Sequence, residues 1–323
     1  MADSTPTNPF ITRGGAPGRF TAIGECMVEM APAGSSGQFQ MGFAGDTYNT
    51  AWYLKQIRPE WALRYVTRVG TDAASGAMLA QMSEAKIETH HIGQSAERSV
   101  GLYLISLNDG ERSFSYWRDQ SAARQLADDP AALAASVADS DVIYFSGITL
   151  GILTPKARET LLETLAAARA AGKTTAFDSN LRPRLWGSET EMCDAVMHAA
   201  AVSDIVLPSY DDEASYFGDE SIDATRDRYL KVGATTVVVK NGPGTVHYAH
   251  NGKLGEVSPP PVGEVVDTTA AGDSFNAGFF AGIAGAAPIE AAITLGCQVS
   301  GQVIGQRGAL VPLDHDKLAK KPA

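Results

Sequence analysis

No stretch of this 323-residue chain holds the roughly 18 consecutive apolar residues that a membrane-spanning helix needs, so no membrane partner is expected. Cysteine is scarce. Cys26, Cys193 and Cys297 lie far apart and show no metal-ligand spacing, so they read as buried or half-buried free thiols of a reducing compartment. His90, His91, His198, His247, His250 and His315 show no ligand spacing either and read as surface or core residues. A basic excess is also missing. The formal net charge of −11 argues against a general nucleic-acid binder, yet it permits a phosphate site, because backbone N–H groups and a few local cations can attract an anion. The opening segment, residues 1–18, is rich in Pro, Thr, Ser and Gly and lacks a signal peptide's apolar core. It reads as a disordered leader of a cytoplasmic protein, and 316–323 as a C-terminal tail.

The full chain, 44% hydrophobic and 20% charged, supports one large α/β domain, or a main domain carrying a small accessory layer, over 19–315. Strand signals at Phe20–Glu25, Leu63–Val69, Asp141–Ser146, Thr174–Asp178, Ile205–Leu207 and Thr235–Lys240 alternate with helical stretches. Among the helices, Asp46–Ile57 reads as starting at an Asp cap. Asp72–Glu84 follows, and Pro155–Ala171 starts at a proline with Gly172 where a C-terminal cap belongs. Such alternation predicts a mostly parallel sheet covered by helices on both faces, with ligands at the carboxyl ends of its strands. One segment breaks the rhythm. Gly101–Leu107 and Arg112–Arg118 flank Asn108-Asp-Gly-Glu111, a hairpin signal. A two- or four-residue loop sets Tyr103 opposite Tyr116 and gathers Phe114, Tyr116, Arg118, Tyr103 and Ile105 on one face, whereas a three-residue loop would upset that register. The ribbon is either a lid over a polar ligand or an edge hairpin solvating its arginine.

The sharpest signal is Val265-Val266-Asp267-Thr268-Thr269-Ala270-Ala271-Gly272-Asp273-Ser274-Phe275. An apolar strand end is expected to enter a turn of small residues and then a helix. Ala270, Ala271 and Gly272 let a ligand approach N–H groups at a helix start, where unpaired donors and the dipole favour anionic oxygen. Asp273 alone would read as a helix cap. Directly after such a run it reads as a base that takes the proton of an attacking hydroxyl while the N–H cradle holds the transferring phosphate. No Gly-Lys-Ser/Thr follows, so this is not a Walker A loop.

This stretch resembles the second signature of the PfkB (ribokinase-like) carbohydrate kinases, and Phe43-Ala44-Gly45-Asp46-Thr47-Tyr48-Asn49 resembles the first, with Ala44 for its usual first glycine. Val69-Gly70-Thr71-Asp72 and Lys240-Asn241-Gly242-Pro243-Gly244 also fit. The resemblance covers roughly Phe20 to Pro312 and implies a three-layer α/β/α sandwich with a small β-sheet lid that includes 101–118. It further implies Asp273 as catalytic base, Ala270, Ala271 and Gly272 as anion hole, and Lys240, Asn241, Gly242 and Gly244 as nucleotide-binding residues. ATP and Mg2+ are the implied cofactors, with a monovalent cation as a further candidate, and a homo-oligomer formed through the lid is the implied assembly. The family's Asn-x-x-Glu motif, tied to magnesium water, is replaced by Pro208-Ser209-Tyr210-Asp211-Asp212-Glu213, which leaves Asp212 or Glu213 for that role or both as acids in the first turn of an exposed helix.

A sugar acid adds a carboxylate to the hydroxyls of a sugar, and a carboxylate favours arginine's paired donors. Arg118 ends the ribbon and Arg182 follows a strand end. With Gly45, Asp46, Asn49, Tyr103 and Tyr116 they make the expected substrate site. Gly101-Leu-Tyr103, Tyr116-Trp-Arg118 and Asn180-Leu-Arg-Pro183 resemble the branch of the family that phosphorylates 2-keto-3-deoxygluconate. The expected activity is therefore ATP-dependent phosphorylation of that acid's terminal hydroxyl. A fructokinase or other neutral-sugar kinase is the alternative, and a non-catalytic sugar sensor a further one.

Overall fold

A computed structural model describes residues 18–34, 37–108, 111–284 and 287–318. Apart from Gly18, the expected leader lies outside the described residues, as does 319–323 of the expected tail. The chain begins with β1 (Arg19–Ile23), β2 (Met27–Pro32), β3 (Phe39–Ala44), α1 (Asp46–Ile57), β4 (Ala62–Val66) and β5 (Arg68–Val69). Next come α2 (Ala73–Glu84), β6 (Ile87–Glu88), β7 (Gly93–Gln94), β8 (Leu102–Asn108), β9 (Glu111–Trp117), α3 (Pro130–Val137) and β10 (Val142–Ser146). Helices α4 (Gly147–Ile152) and α5 (Pro155–Ala170) lead to β11 (Thr174–Asp178), α6 (Glu189–Ala201), β12 (Ile205–Val206), α7 (Tyr210–Phe217) and α8 (Ile222–Lys231). The last elements are β13 (Thr236–Val239), β14 (Val246–His250), β15 (Lys253–Val257), α9 (Ala271–Ala284) and α10 (Ile289–Val303).

Nine strands form the central sheet in the order β15-β14-β13-β12-β11-β10-β1-β4-β6, parallel from β6 to β13 with β14 and β15 added antiparallel. Parallel strands covered on both faces need apolar side chains at every position. Along β10, Val142 and Tyr144 join the core beneath α1, α9 and α10, while Ile143 and Phe145 join the opposite core with Leu161 of α5 and Val196 of α6. Helices α9 and α10 touch closely because the contact is made of small residues. A methyl group on Gly278 would come 2.8 Å from Gly296 Cα, and one on Gly282 2.5 Å from Ala292 Cα.

A second sheet, ordered β3-β2-β8-β9, forms the lid. Tyr103 pairs with Tyr116 and Asn108 with Glu111, so the connection is two residues long and the even-loop register holds. Those two connecting residues, Asp109 and Gly110, lie outside the described residues.

Three local expectations are corrected. Asp46 is the first residue of α1 rather than its cap; Gly45 holds the cap position with extended backbone, and no side chain caps the helix. The apolar run Leu63–Val69 splits, because β4 pairs within the central sheet while Arg68 and Val69 pair with β7. Val265 and Val266 form no strand and are exposed, with the Val266 and Asp267 N–H groups donating to the Ile304 carbonyl instead.

Candidate active site

Three chain segments meet at the carboxyl end of the central sheet. Strand β11 ends in buried Asp178, and the two residues after it send side chains in separate directions. Ser179 Oγ donates to Glu213 (2.6 Å), and Asn180 Nδ2 donates to Asp46 Oδ2 at the start of α1 (2.7 Å). Asn180 takes φ of +32°, a left-handed turn that asparagine tolerates. Gly45 is fixed by close approach, since a methyl group there would fall 2.0 Å from the Glu25 carbonyl oxygen.

The third segment is the turn into α9. Ala270 has φ of +59°. The Ala271 N–H bonds the Thr268 carbonyl at 3.2 Å, and Ser274 N–H bonds the Ala270 carbonyl at 2.9 Å. Between them the N–H groups of Gly272 and Asp273 have no acceptor among the described residues, as expected for a first helical turn that an anion could complete. Asp273 Oδ2 accepts from Asn49 Nδ2 at 2.8 Å, and Thr50 Oγ1 reaches the Asp273 carbonyl at 3.1 Å. Asn49, expected to hold substrate, is thus also the partner of the candidate base.

The local field favours a base that works near neutrality. Burial pushes the Asp273 carboxyl up to about 7, and the Asp46 and Asp178 carboxylates push the same way; the Asn49 hydrogen bond and the Lys240 ammonium oppose them. Asp46 is raised as well, by burial above all, and its Oδ1 is buried without a hydrogen-bond partner. A hydroxyl of a bound ligand would satisfy that oxygen.

At the lid end an arginine sits among two carboxylates. Buried Arg118 ion-pairs with fully buried Glu25, which also accepts from Ser121 Oγ. The guanidinium lies 5.8 Å from the Tyr116 ring centre, and its Nε is buried without a partner. Tyr103 and Tyr116 have ring centres 5.9 Å apart, and the Tyr103 hydroxyl donates to Glu29. Arg182 is half-exposed, 3.8 Å from Asp212, with Nη1 donating to the Leu181 carbonyl. The structure therefore brings Tyr103, Tyr116 and Arg118 together but sets Arg182 beside α7.

The residues expected to face nucleotide divide. Gly242 takes φ of +50°, and Gly244 N–H closes a turn onto the Asn241 carbonyl at 2.7 Å. Lys240, by contrast, is buried and donates to Asp178 Oδ2 at 2.9 Å and Asn276 Oδ1 at 3.4 Å.

For magnesium, the two acidic candidates separate clearly. Glu213 is fully buried, not in an exposed turn, and both its oxygens are taken: Oε1 by Ser179, Oε2 by Arg228 (2.7 Å) and Tyr229 (2.9 Å). It does not fit a metal or its water. Asp212, whose carboxyl burial pushes up and Arg182 holds back, stays partly open and fits an outer contact. No group of three or more His, Cys, Asp or Glu side chains that could hold a metal ion is present among the described residues.

Glu25, Asp178 and Asn276 were not singled out from the sequence. Asp178 did carry a signal, a carboxylate closing an apolar strand on the ligand side, and Asn276 lies three residues after Asp273 on the same helix.

A family model described as pfkB family carbohydrate kinase matches residues 19–316. The chain is 38% identical over 304 residues to a 2-dehydro-3-deoxygluconokinase of Haemophilus influenzae, covering 92% of this chain and 95% of the relative. It is 37% identical over 303 residues to the Escherichia coli K12 protein of that name, covering 91% and 97%. Among solved structures, a 2-dehydro-3-deoxygluconokinase of Thermotoga maritima superposes with a TM-score of 0.78 at 20% identity, covering 93% of this chain and 97% of that one. A fructokinase of Xylella fastidiosa with bound ATP superposes at 0.77 with 22% identity, covering 90% and 93%.

Proposed function

The chain belongs to the pfkB family of carbohydrate kinases, and from that premise we propose that it transfers the γ-phosphoryl group of ATP to the terminal hydroxyl of 2-keto-3-deoxygluconate. The observation that carries the choice of acceptor is the buried Arg118 Nε, which has no hydrogen-bond partner among the described residues even though the guanidinium ion-pairs with Glu25, so it has a donor left for a substrate carboxylate under the lid. An acid bound in that sense offers its hydroxyl end to Asp273.

In the reaction the acceptor oxygen bonds the γ-phosphorus, the bond from that phosphorus to the bridging oxygen breaks, and ADP leaves. Asp273 takes the hydroxyl proton, and the Gly272 and Asp273 N–H groups, with the Ala270 and Ala271 turn, hold the phosphoryl oxygens. Gly45, Asp46, Asn49, Tyr103 and Tyr116 frame the acceptor, Arg118 holds its carboxylate, and Arg182 guards the mouth beside Asp212. Asn241, Gly242 and Gly244 form the nucleotide turn. Magnesium, when bound with ATP, neutralises phosphate charge; a monovalent cation is a further candidate.

We place the kinase domain at 19–315 and the protein in the cytoplasm, a reading supported by the free thiols Cys26, Cys193 and Cys297. Exposed Phe39, Met41 and Trp117 on the lid support a homo-oligomer formed there. The test is ADP release with MgATP, comparing 2-keto-3-deoxygluconate with fructose, ribose and gluconate. Preference for the ketodeoxy acid is expected. Preference for fructose or ribose would return Arg118 to a structural role, and no turnover with any of them would favour a sensor.

A further inference from the structure

Helix α1 carries Asp46, Asn49 and Thr50 at i, i+3 and i+4, the spacing that sets side chains on one face. Two of them meet the candidate base. Asn49 Nδ2 holds the Asp273 carboxylate at 2.8 Å, and Thr50 Oγ1 lies 3.1 Å from the Asp273 carbonyl. Thr50 is fully buried, and its oxygen lies the same 3.1 Å from the Asp46 carbonyl one turn back along α1. A hydroxyl has one proton to donate, so the two carbonyls share it. The Tyr144 hydroxyl, at 3.5 Å, is too far to compete. A threonine inside a helix often donates to the carbonyl four residues back, and that bond alone would be a local matter. The second carbonyl is not local, since it belongs to another helix 223 positions along the chain. One hydroxyl thus touches the backbone of Asp46, whose unpartnered Oδ1 suits an acceptor hydroxyl, and of Asp273, which would deprotonate it.

We propose that Thr50 is a positioning residue for phosphoryl transfer. Its hydroxyl ties the start of α9 to the start of α1, so the Asp273 carboxylate keeps a fixed distance from the acceptor hydroxyl at Asp46. Asn49 sets the direction of that carboxylate, and Thr50 sets where its backbone sits; Thr50 itself touches no reacting atom. The far ends of the same two helices are joined as well, Arg58 Nε and Nη2 both donating to the Ala281 carbonyl, at 3.0 and 2.7 Å. With that end clamped, loss of the Thr50 bond frees only the catalytic end of the pair. The inference rests on the kinase reading with Asp273 as base, and not on which sugar acid or sugar is the acceptor.

The test is steady-state kinetics with MgATP and whichever of 2-keto-3-deoxygluconate, fructose, ribose and gluconate the parent phosphorylates. Thr50→Val exchanges the hydroxyl for a methyl group of like size, and Thr50→Ser keeps the hydroxyl. Thr50→Val should lower kcat by roughly 10- to 100-fold, the range expected when a catalytic group is misplaced by up to about 1 Å, with both KM values within about 2-fold. Thr50→Ser should keep kcat within about 3-fold of the parent. The acid limb of the kcat profile should also move to higher pH in Thr50→Val, because the Asn49 bond that holds the Asp273 carboxyl down is loosened. A role in stability alone would leave both that limb and kcat unmoved. Thr50→Ala, which puts no methyl group against the two carbonyls, is measured beside it in case Thr50→Val does not fold, and should show the same loss of kcat. An unchanged kcat in Thr50→Val and Thr50→Ala, equal losses in Thr50→Val and Thr50→Ser, or a change in KM alone would overturn the proposal and leave the kinase reading intact. A parent that phosphorylated none of the four compounds would remove the kinase reading, and this role with it.

Discussion

Asp273→Asn is expected to stop turnover and, at the same time, to make the protein more stable in alkaline solution. The carboxyl of Asp273 is pushed from 3.8 to about 7, by burial first and then by the Asp46 and Asp178 carboxylates. A group whose folded pKa is raised stabilises the fold fully below its unfolded pKa and loses that contribution as pH rises through the folded value. Between pH 5 and 7 the native protein keeps a proton that the unfolded chain has already released, so each pH unit removes about 1.4 kcal/mol of stability. Asparagine is neutral throughout and lacks this loss. The stability gap between variant and parent should therefore widen by about 3 kcal/mol from pH 5 to pH 8. Urea unfolding at the two pH values reads this directly. Turnover in the parent should fall below about pH 7 as the base is protonated, and the variant should lose roughly 100- to 10,000-fold in kcat. A gap that stays constant with pH would refute the account of the carboxyl's environment, and a variant with substantial turnover would refute its role.

The other expectations concern the frame around the base. Arg118→Ala strands fully buried Glu25 and should cost about 3–5 kcal/mol in denaturant unfolding, whereas Arg118→Met combined with Glu25→Gln should recover most of that stability without recovering preference for the acid. Gly45→Ala should destabilise by several kcal/mol, on the order expected for overpacking or more, because its methyl group would meet the Glu25 carbonyl oxygen at 2.0 Å; normal melting would show that this approach is relieved cheaply. Glu213→Ala should lose about 3–5 kcal/mol of stability through Arg228 while the magnesium concentration for half-maximal activity holds, and Asp212→Asn should raise that concentration with little change in melting.

Much of this protein was legible from residue order. Apolar runs of the right length marked most of the parallel strands, and Asp-Gly between two β-rich segments marked the lid hairpin, whose register was decided only by the two-residue connection the structure shows. The small-residue run before Asp273 marked the anion-binding turn, because backbone approach and a helix start are local properties. What the order of residues did not disclose was partnership. Asp212 and Glu213 are adjacent acids in sequence, yet one lies partly open beside Arg182 and the other is sealed between Ser179, Arg228 and Tyr229. Asn49 lies 224 positions from the Asp273 carboxylate to which it donates, and Lys240 lies 62 from the aspartate with which it pairs. Local rules determine strands, turns and helix starts, since they depend on neighbours along the chain. Which carboxylate is raised, which is neutralised and which cation is paired depends on burial and on charges a few ångströms away, and folding alone brings those together.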